Sequence, residues 1–164
     1  MTGSPVITSV APDPHRPGAA RIEIGGLRFA AVAQEVVVAE GLAVGREVDP
    51  ELHQRLNAAA DAEAAFRTLL RALERRPYAR SDLGRRLQRK GHPRPAVEEA
   101  LERATRLDLL DDGAFAANFI QTRAGRGRGP SRLTRDLLAM GVERSLIDRA
   151  LDAQWPDGGD HSTA

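Results

Sequence analysis

Sliding this 164-residue sequence against itself by 50 positions constrains it more than any other operation. Ser81, Leu83, Arg85, Leu87, Gly91, Arg94, Ala100 and Leu101 fall on Ser131, Leu133, Arg135, Leu137, Gly141, Arg144, Ala150 and Leu151, eight identities in 21 ungapped positions. Composition alone gives about two or three. Val97 over Ile147, and Leu69 and Leu70 over Phe119 and Ile120, extend the match. A sequence built this way holds two copies of one unit.

The apolar spacing says what each copy is. From about residue 50 the period lies between three and four, with Phe66, Leu69, Leu70 and Leu73 at i, i+3, i+4 and i+7, the stripe of a helix packed on one face. Three short helices are predicted per copy, near 60–76, 81–90 and 95–107 and again near 112–124, 131–140 and 144–154. Helices this short are marginal alone in water, so each must bury its stripe against its neighbours. Ser81 and Ser131 are the expected N-caps of the two middle helices, and Gly91 suits a left-handed C-terminal stop. Trp155, four residues after Leu151, is placed on the same face. The closing "PDGGDHSTA" has no periodicity, and fraying is expected there.

The first fifty residues differ in kind. "VITSVAP", "ARIEI" and "LRFAAV" are short and partly alternating. The last two are joined by Gly25-Gly26, which suits the positive φ angles of a primed hairpin turn. "AQEVVVAEGLAVG" then reads as a short helix ending at Gly41, and Asp49 before Pro50 as a helix start. The fold class is therefore mainly α: two tandem three-helix repeats preceded by a small N-terminal β-hairpin module. The expected divisions are 1–56 for the β-rich module, 57–107 and 108–154 for the repeats, and 155–164 for a flexible tail.

Charge is distributed as unevenly as structure. The formal net charge is only +1, yet residues 67–135 hold 17 basic side chains against 8 acidic ones, and all but one of the 24 basic residues are arginine. A block this basic suits a polyanion or an acidic protein surface. With aromatics at 4%, the core must come from Leu, Val, Ile and Ala, which favours packed helices. Cysteine is absent, which excludes a disulfide framework and thiolate metal sites. No apolar run approaches the roughly 18 residues of a membrane span, so a cytoplasmic location is expected.

Catalytic constellations are thin. Asp111-Asp112 stands where the second copy begins, and a helix N-cap explains it more simply than acid–base chemistry. His15, His53, His92 and His161 are scattered, with no i, i+4 pair to hold a metal. No catalytic residue, metal or cofactor is expected. "RAGRGRGPS" reads first as a hinge: its glycines turn the chain, Pro130 prevents the helix from running on, and Ser131 restarts it. The hinge also brings Arg123, Arg126 and Arg128 near Arg132 and Arg135, and Arg85, Arg86, Arg89 and Lys90 occupy the equivalent middle helix. With Leu83 and Leu87 turned inward, these four cations are expected to point outward.

The phrases "YARSDLGRRLQRKG", "LDLLDDGAFAANFIQTRAGRGRGPSRLTRDLLAMGV" and "SLIDRAL" resemble the RecX family of recombination regulators over about residues 66–153. In that family an arginine-or-serine-led helix, a Leu-Leu-Asp-Asp helix start and a Gly-x-Gly-Pro hinge follow in this order. The β module is similar to an extension carried by many bacterial members. The resemblance implies a non-enzymatic modulator that lodges along the groove of the RecA filament on DNA and inhibits recombinase, ATPase and co-protease activity. Most members carry a third three-helix repeat, whereas two are found here. The expected contact face is Arg85, Arg86, Arg89, Lys90, Arg123, Arg126, Arg128, Arg132 and Arg135, on a monomer that touches single- or double-stranded DNA weakly and no membrane. The competing reading is a helix-turn-helix transcription regulator, with the middle helices offered to a major groove. Against it stand the tandem fusion and the lack of an Asn/Gln-rich reading face.

Overall fold

The structure, a computed structural model, describes residues 3–156. Three strands, β1 (Ile7–Pro12), β2 (Ala19–Ile24) and β3 (Leu27–Ala33), form an antiparallel sheet in the order β1-β2-β3. The Gly25-Gly26 link has φ of 59° and 79°, the left-handed pair that a two-residue hairpin needs. The N-terminal module is thus a three-stranded sheet, one strand larger than a hairpin, with Pro12 at the end of an edge strand where no ladder donor is lost.

Helix α1 (Gln34–Glu40) leaves β3 and stops at Gly41. α2 then runs unbroken from Pro50 to Arg75, crossing residue 57, with Asp49 as its cap: the carboxylate accepts from the Leu52 N–H at 2.8 Å. α3 (Arg80–Arg89), α4 (Arg94–Arg106), α5 (Asp112–Ala124), α6 (Pro130–Ala139) and α7 (Arg144–Gln154) complete the order.

Two compact units result, Met1–Thr68 with Gly91–Ala100, and Leu69–Lys90 with Leu101–Ala164. In the first, Ile7, Ile22, Val32, Leu42 and Val48 close over Leu52 and Leu56 of α2, so the opening turns of that helix belong to the sheet's core. Each such side chain contributes about 1.5–3 kcal/mol when fully buried. Polar groups also enter: the Asp13 carboxylate is buried, accepts from the His15 N–H at 2.9 Å, and faces Arg67 at 3.4 Å and Arg21 at 4.0 Å. Buried Glu63 pairs with Arg16, whose guanidinium also stands over Phe66.

In the second unit, Phe119, Ile120, Leu133, Leu137, Val142, Ile147 and Leu151 form the core, with Trp155 packed against it. The 50-residue offset carries through to burial: Leu83 and Leu133, Leu87 and Leu137, and Val97 and Ile147 are all fully inaccessible. The flexible tail expected over 155–164 lies, beyond Pro156, outside the described residues.

The expected serine caps are not used. Ala79 stands at the N-cap of α3 and Gly129 at that of α6, each without a side-chain cap bond, and Pro130 fills the first turn of α6. Ser81 and Ser131 fall inside their helices. The reason is tertiary: the N–H of Arg80 donates to the Asp112 carboxylate at 2.8 Å, so one free donor at the start of α3 is met from 32 residues further on. Asp111 does cap α5, accepting from the Ala114 N–H at 3.0 Å.

Candidate protein-interaction surface

All nine cations singled out from the sequence lie in the second unit. On α3, burial of Leu83, Gly84 and Leu87 turns Arg85 and Arg89 to solvent, and Lys90 follows at the C-cap. Arg89 and Arg86 occupy the last turn, where the negative end of the helix favours them. Arg86 is a correction to the outward reading. It is half-buried, 5.8 Å over the Tyr78 ring, because its stem follows the apolar face on which Tyr78 is sunk.

Arg85 is exposed but engaged, donating to the Ala139 carbonyl at 3.0 Å in the last turn of α6. Arg135, its counterpart in the second copy, has no side-chain partner among the described residues, and the same is true of Arg89, Lys90, Arg126 and Arg132. Arg128 is half-buried and faces Asp136 at 3.7 Å.

The glycine-rich hinge is folded, not loose. Arg126 and Arg128 N–H groups donate to the Arg123 carbonyl, and the Gly127 N–H to that of Ala124, so two of the free acceptors at the end of α5 are used. Ala139, which anchors Arg85, lies at the opposite end of α6 from this hinge. The ten residues of α6 are about 15 Å long, so the cations are spread along the helix and do not form one cluster.

A feature missed by sequence reasoning lies beside α5. A groove of about 470 Å³ is walled by two adjoining rows of α5, Ala114 with Asn118, and Phe115, Phe119 and Arg123, each at four-residue spacing. Leu73, Tyr78 and Met140 supply apolar lining, and Arg76, Asp108 and Asp111 also border it. Two guanidinium groups lie on rings there, Arg76 at 3.7 Å from the Tyr78 centroid and Arg123 at 3.8 Å from that of Phe119. Phe115 stacks on Phe119 at 6.0 Å. The signal was present in α5, whose apolar residues Phe115, Ala116, Phe119 and Ile120 cover a wider arc than one core contact needs.

No group of three or more His, Asp or Glu side chains among the described residues is arranged to hold a metal ion, and no described helix is long and apolar enough to cross a membrane.

Comparison with known proteins places this geometry. Residues 65–103 match the first three-helix domain of RecX and residues 111–151 the second. The regulatory protein RecX of Halorhodospira halophila is 39% identical over 95 residues, 58% of this chain and 59% of that one. The Pseudomonas putida regulatory protein RecX is 34% identical over 106 residues, 62% of this chain and 68% of that one. This chain therefore spans about three fifths to two thirds of the length of these relatives. A crystal structure of a regulatory protein RecX superposes with a TM-score of 0.76 at 26% identity, covering 92% of this chain and 74% of that one. With both three-helix domains matched in order and the fold shared over nearly the whole chain, this protein belongs to the RecX family.

Proposed function

We propose that this chain acts as a regulator that binds the RecA filament on DNA and lowers its recombinase, ATPase and co-protease activities without catalytic chemistry of its own. The observation that carries this reading is that Arg89, Lys90, Arg126, Arg132 and Arg135, on the repeat helices and hinge of a RecX family member, are exposed and have no side-chain partner among the described residues. Guanidinium groups that are exposed and unpaired give up no protein partner on docking and pair bidentately with carboxylates or phosphates. Arg85, Arg86, Arg123 and Arg128, the other cations of the expected contact set, are held by contacts of their own. Repeat helices offer an extended surface, suited to contact with neighbouring subunits of a polymer.

The test is inhibition of RecA-driven ATP hydrolysis by the triple variant Arg126→Glu, Arg132→Glu, Arg135→Glu, with circular dichroism to verify the fold. Inhibition is expected to weaken at least tenfold, and wild-type inhibition to fade as salt rises. Unchanged inhibition removes this face from the reading. Tight sequence-specific binding to naked duplex, with no effect on RecA filaments, favours the helix-turn-helix alternative instead.

A further inference from the structure

We infer that the groove along α5 is a docking site for an amphipathic segment of a partner protein, one that brings bulky apolar side chains and a carboxylate to Arg123. The inference deepens the proposed function, since it rests on the partner being a protein.

The chemistry of the groove selects this occupant. Its lining is apolar where Leu73, Phe115 and Met140 meet, all only partly buried. At the C-terminal end of the α5 wall, Arg123 is fixed flat on Phe119 and has no ion pair among the described residues. The ring takes one face of the guanidinium and leaves the in-plane N–H donors, which match a carboxylate. Midway, the exposed Asn118 amide has no hydrogen-bond partner among the described residues and suits a peptide backbone. At the N-terminal end stand Asp111 and, beside it, Asp108. The wall therefore runs from carboxylate to guanidinium over about 18 Å, some three turns of a docked helix.

A nucleic acid fits poorly. Phe119 has one face under Arg123 and packs on Phe115, and Tyr78 has a face under Arg76, so little open ring remains for a base. Asp108 and Asp111 would repel phosphates in the same space.

The experiment uses the ¹⁵N-labelled full chain. The probe is a capped ten-residue peptide with a leucine stripe, two glutamates at its start and two lysines at its end, beside a copy carrying glutamine for glutamate and a thymidine oligonucleotide. The acidic peptide is expected to shift the amides of Phe115, Asn118 and Arg123. Arg123→Gln should weaken its binding about tenfold, as loss of one charge-assisted pair does. Asn118→Trp, which fills the groove from an exposed position, should abolish binding, whereas Ala117→Trp, exposed on the same helix but off the groove, should not. No shifts at millimolar acidic peptide, equal binding of the glutamine copy, or stronger shifts at these amides with the oligonucleotide would each overturn the inference. Because RecA is absent from the titration, a chain that bound the peptide but left RecA-driven ATP hydrolysis untouched would sink the proposed function and leave the groove standing.

Discussion

A β-carbon at Gly141 would stand 2.5 Å from the Cβ of Ser81, closer than any side-chain contact permits. The residue after the C-cap of α6 in the second copy thus lies directly on the start of α3 in the first, and Arg85 reaches the Ala139 carbonyl across the same seam. The repeat register brings this about, because Gly91 ends α3 in the same left-handed conformation, φ 98° against 84°.

The two glycines therefore separate strain from crowding. Gly91→Ala meets open space and should cost about 1 kcal/mol for its positive φ alone. Gly141→Ala adds the collision with Ser81 and should cost about 2 kcal/mol or more. Urea denaturation of both variants checks this, and equal losses would contradict the close packing at the seam.

Arg85 and Arg135 are equivalent in sequence and differ in structure. Arg85→Ala removes the bond to the Ala139 carbonyl and should lower stability by about 0.5–1.5 kcal/mol. Arg135→Ala should leave stability within about 0.5 kcal/mol and act only on partner binding. Thermal melts of the two single variants, beside a RecA inhibition assay, give both readouts.

Capping at α5 depends on an acceptor, not on charge alone. Asp111→Ala should cost about 1 kcal/mol, and Asp111→Asn much less, because asparagine accepts the same bond from the Ala114 N–H. A full loss with asparagine would point instead to the charge at the positive helix end.

Acidification should act through Asp13. The His15 N–H bonded to its carboxylate lowers its pKa below the usual value; burial opposes this, and Arg21 and Arg67 reinforce it. The stability it contributes is complete above the unfolded-state value of about 4 and is lost as pH falls through the lower folded-state value. Melting temperatures of the wild type and Asp13→Asn should therefore differ near neutral pH and converge below about pH 4. A gap that persists at pH 2 would mean that the carboxylate's charge is not what holds the Pro12–Ala19 turn.

What the sequence determined by itself was periodic or local. The 50-residue repeat was readable because it needs only residue identities compared along the chain, and the change of period near residue 50, the Gly25-Gly26 turn and the Asp49 and Asp111 caps because each rests on residues a few positions apart. Tertiary structure alone decided the rest. Ser81 yielded its expected cap role because Asp112, far along the chain, meets the Arg80 N–H; Arg86 lay down on Tyr78; and Arg85 was pinned to α6 while Arg135 found no side-chain partner among the described residues. The groove beside α5 belongs to the same class, since Leu73, Tyr78, Phe115 and Met140 become neighbours only when the helices pack. Local patterning fixes which groups a helix presents, but pairing between distant segments decides which of them remain unsatisfied, and those unsatisfied groups are the ones left to meet a partner.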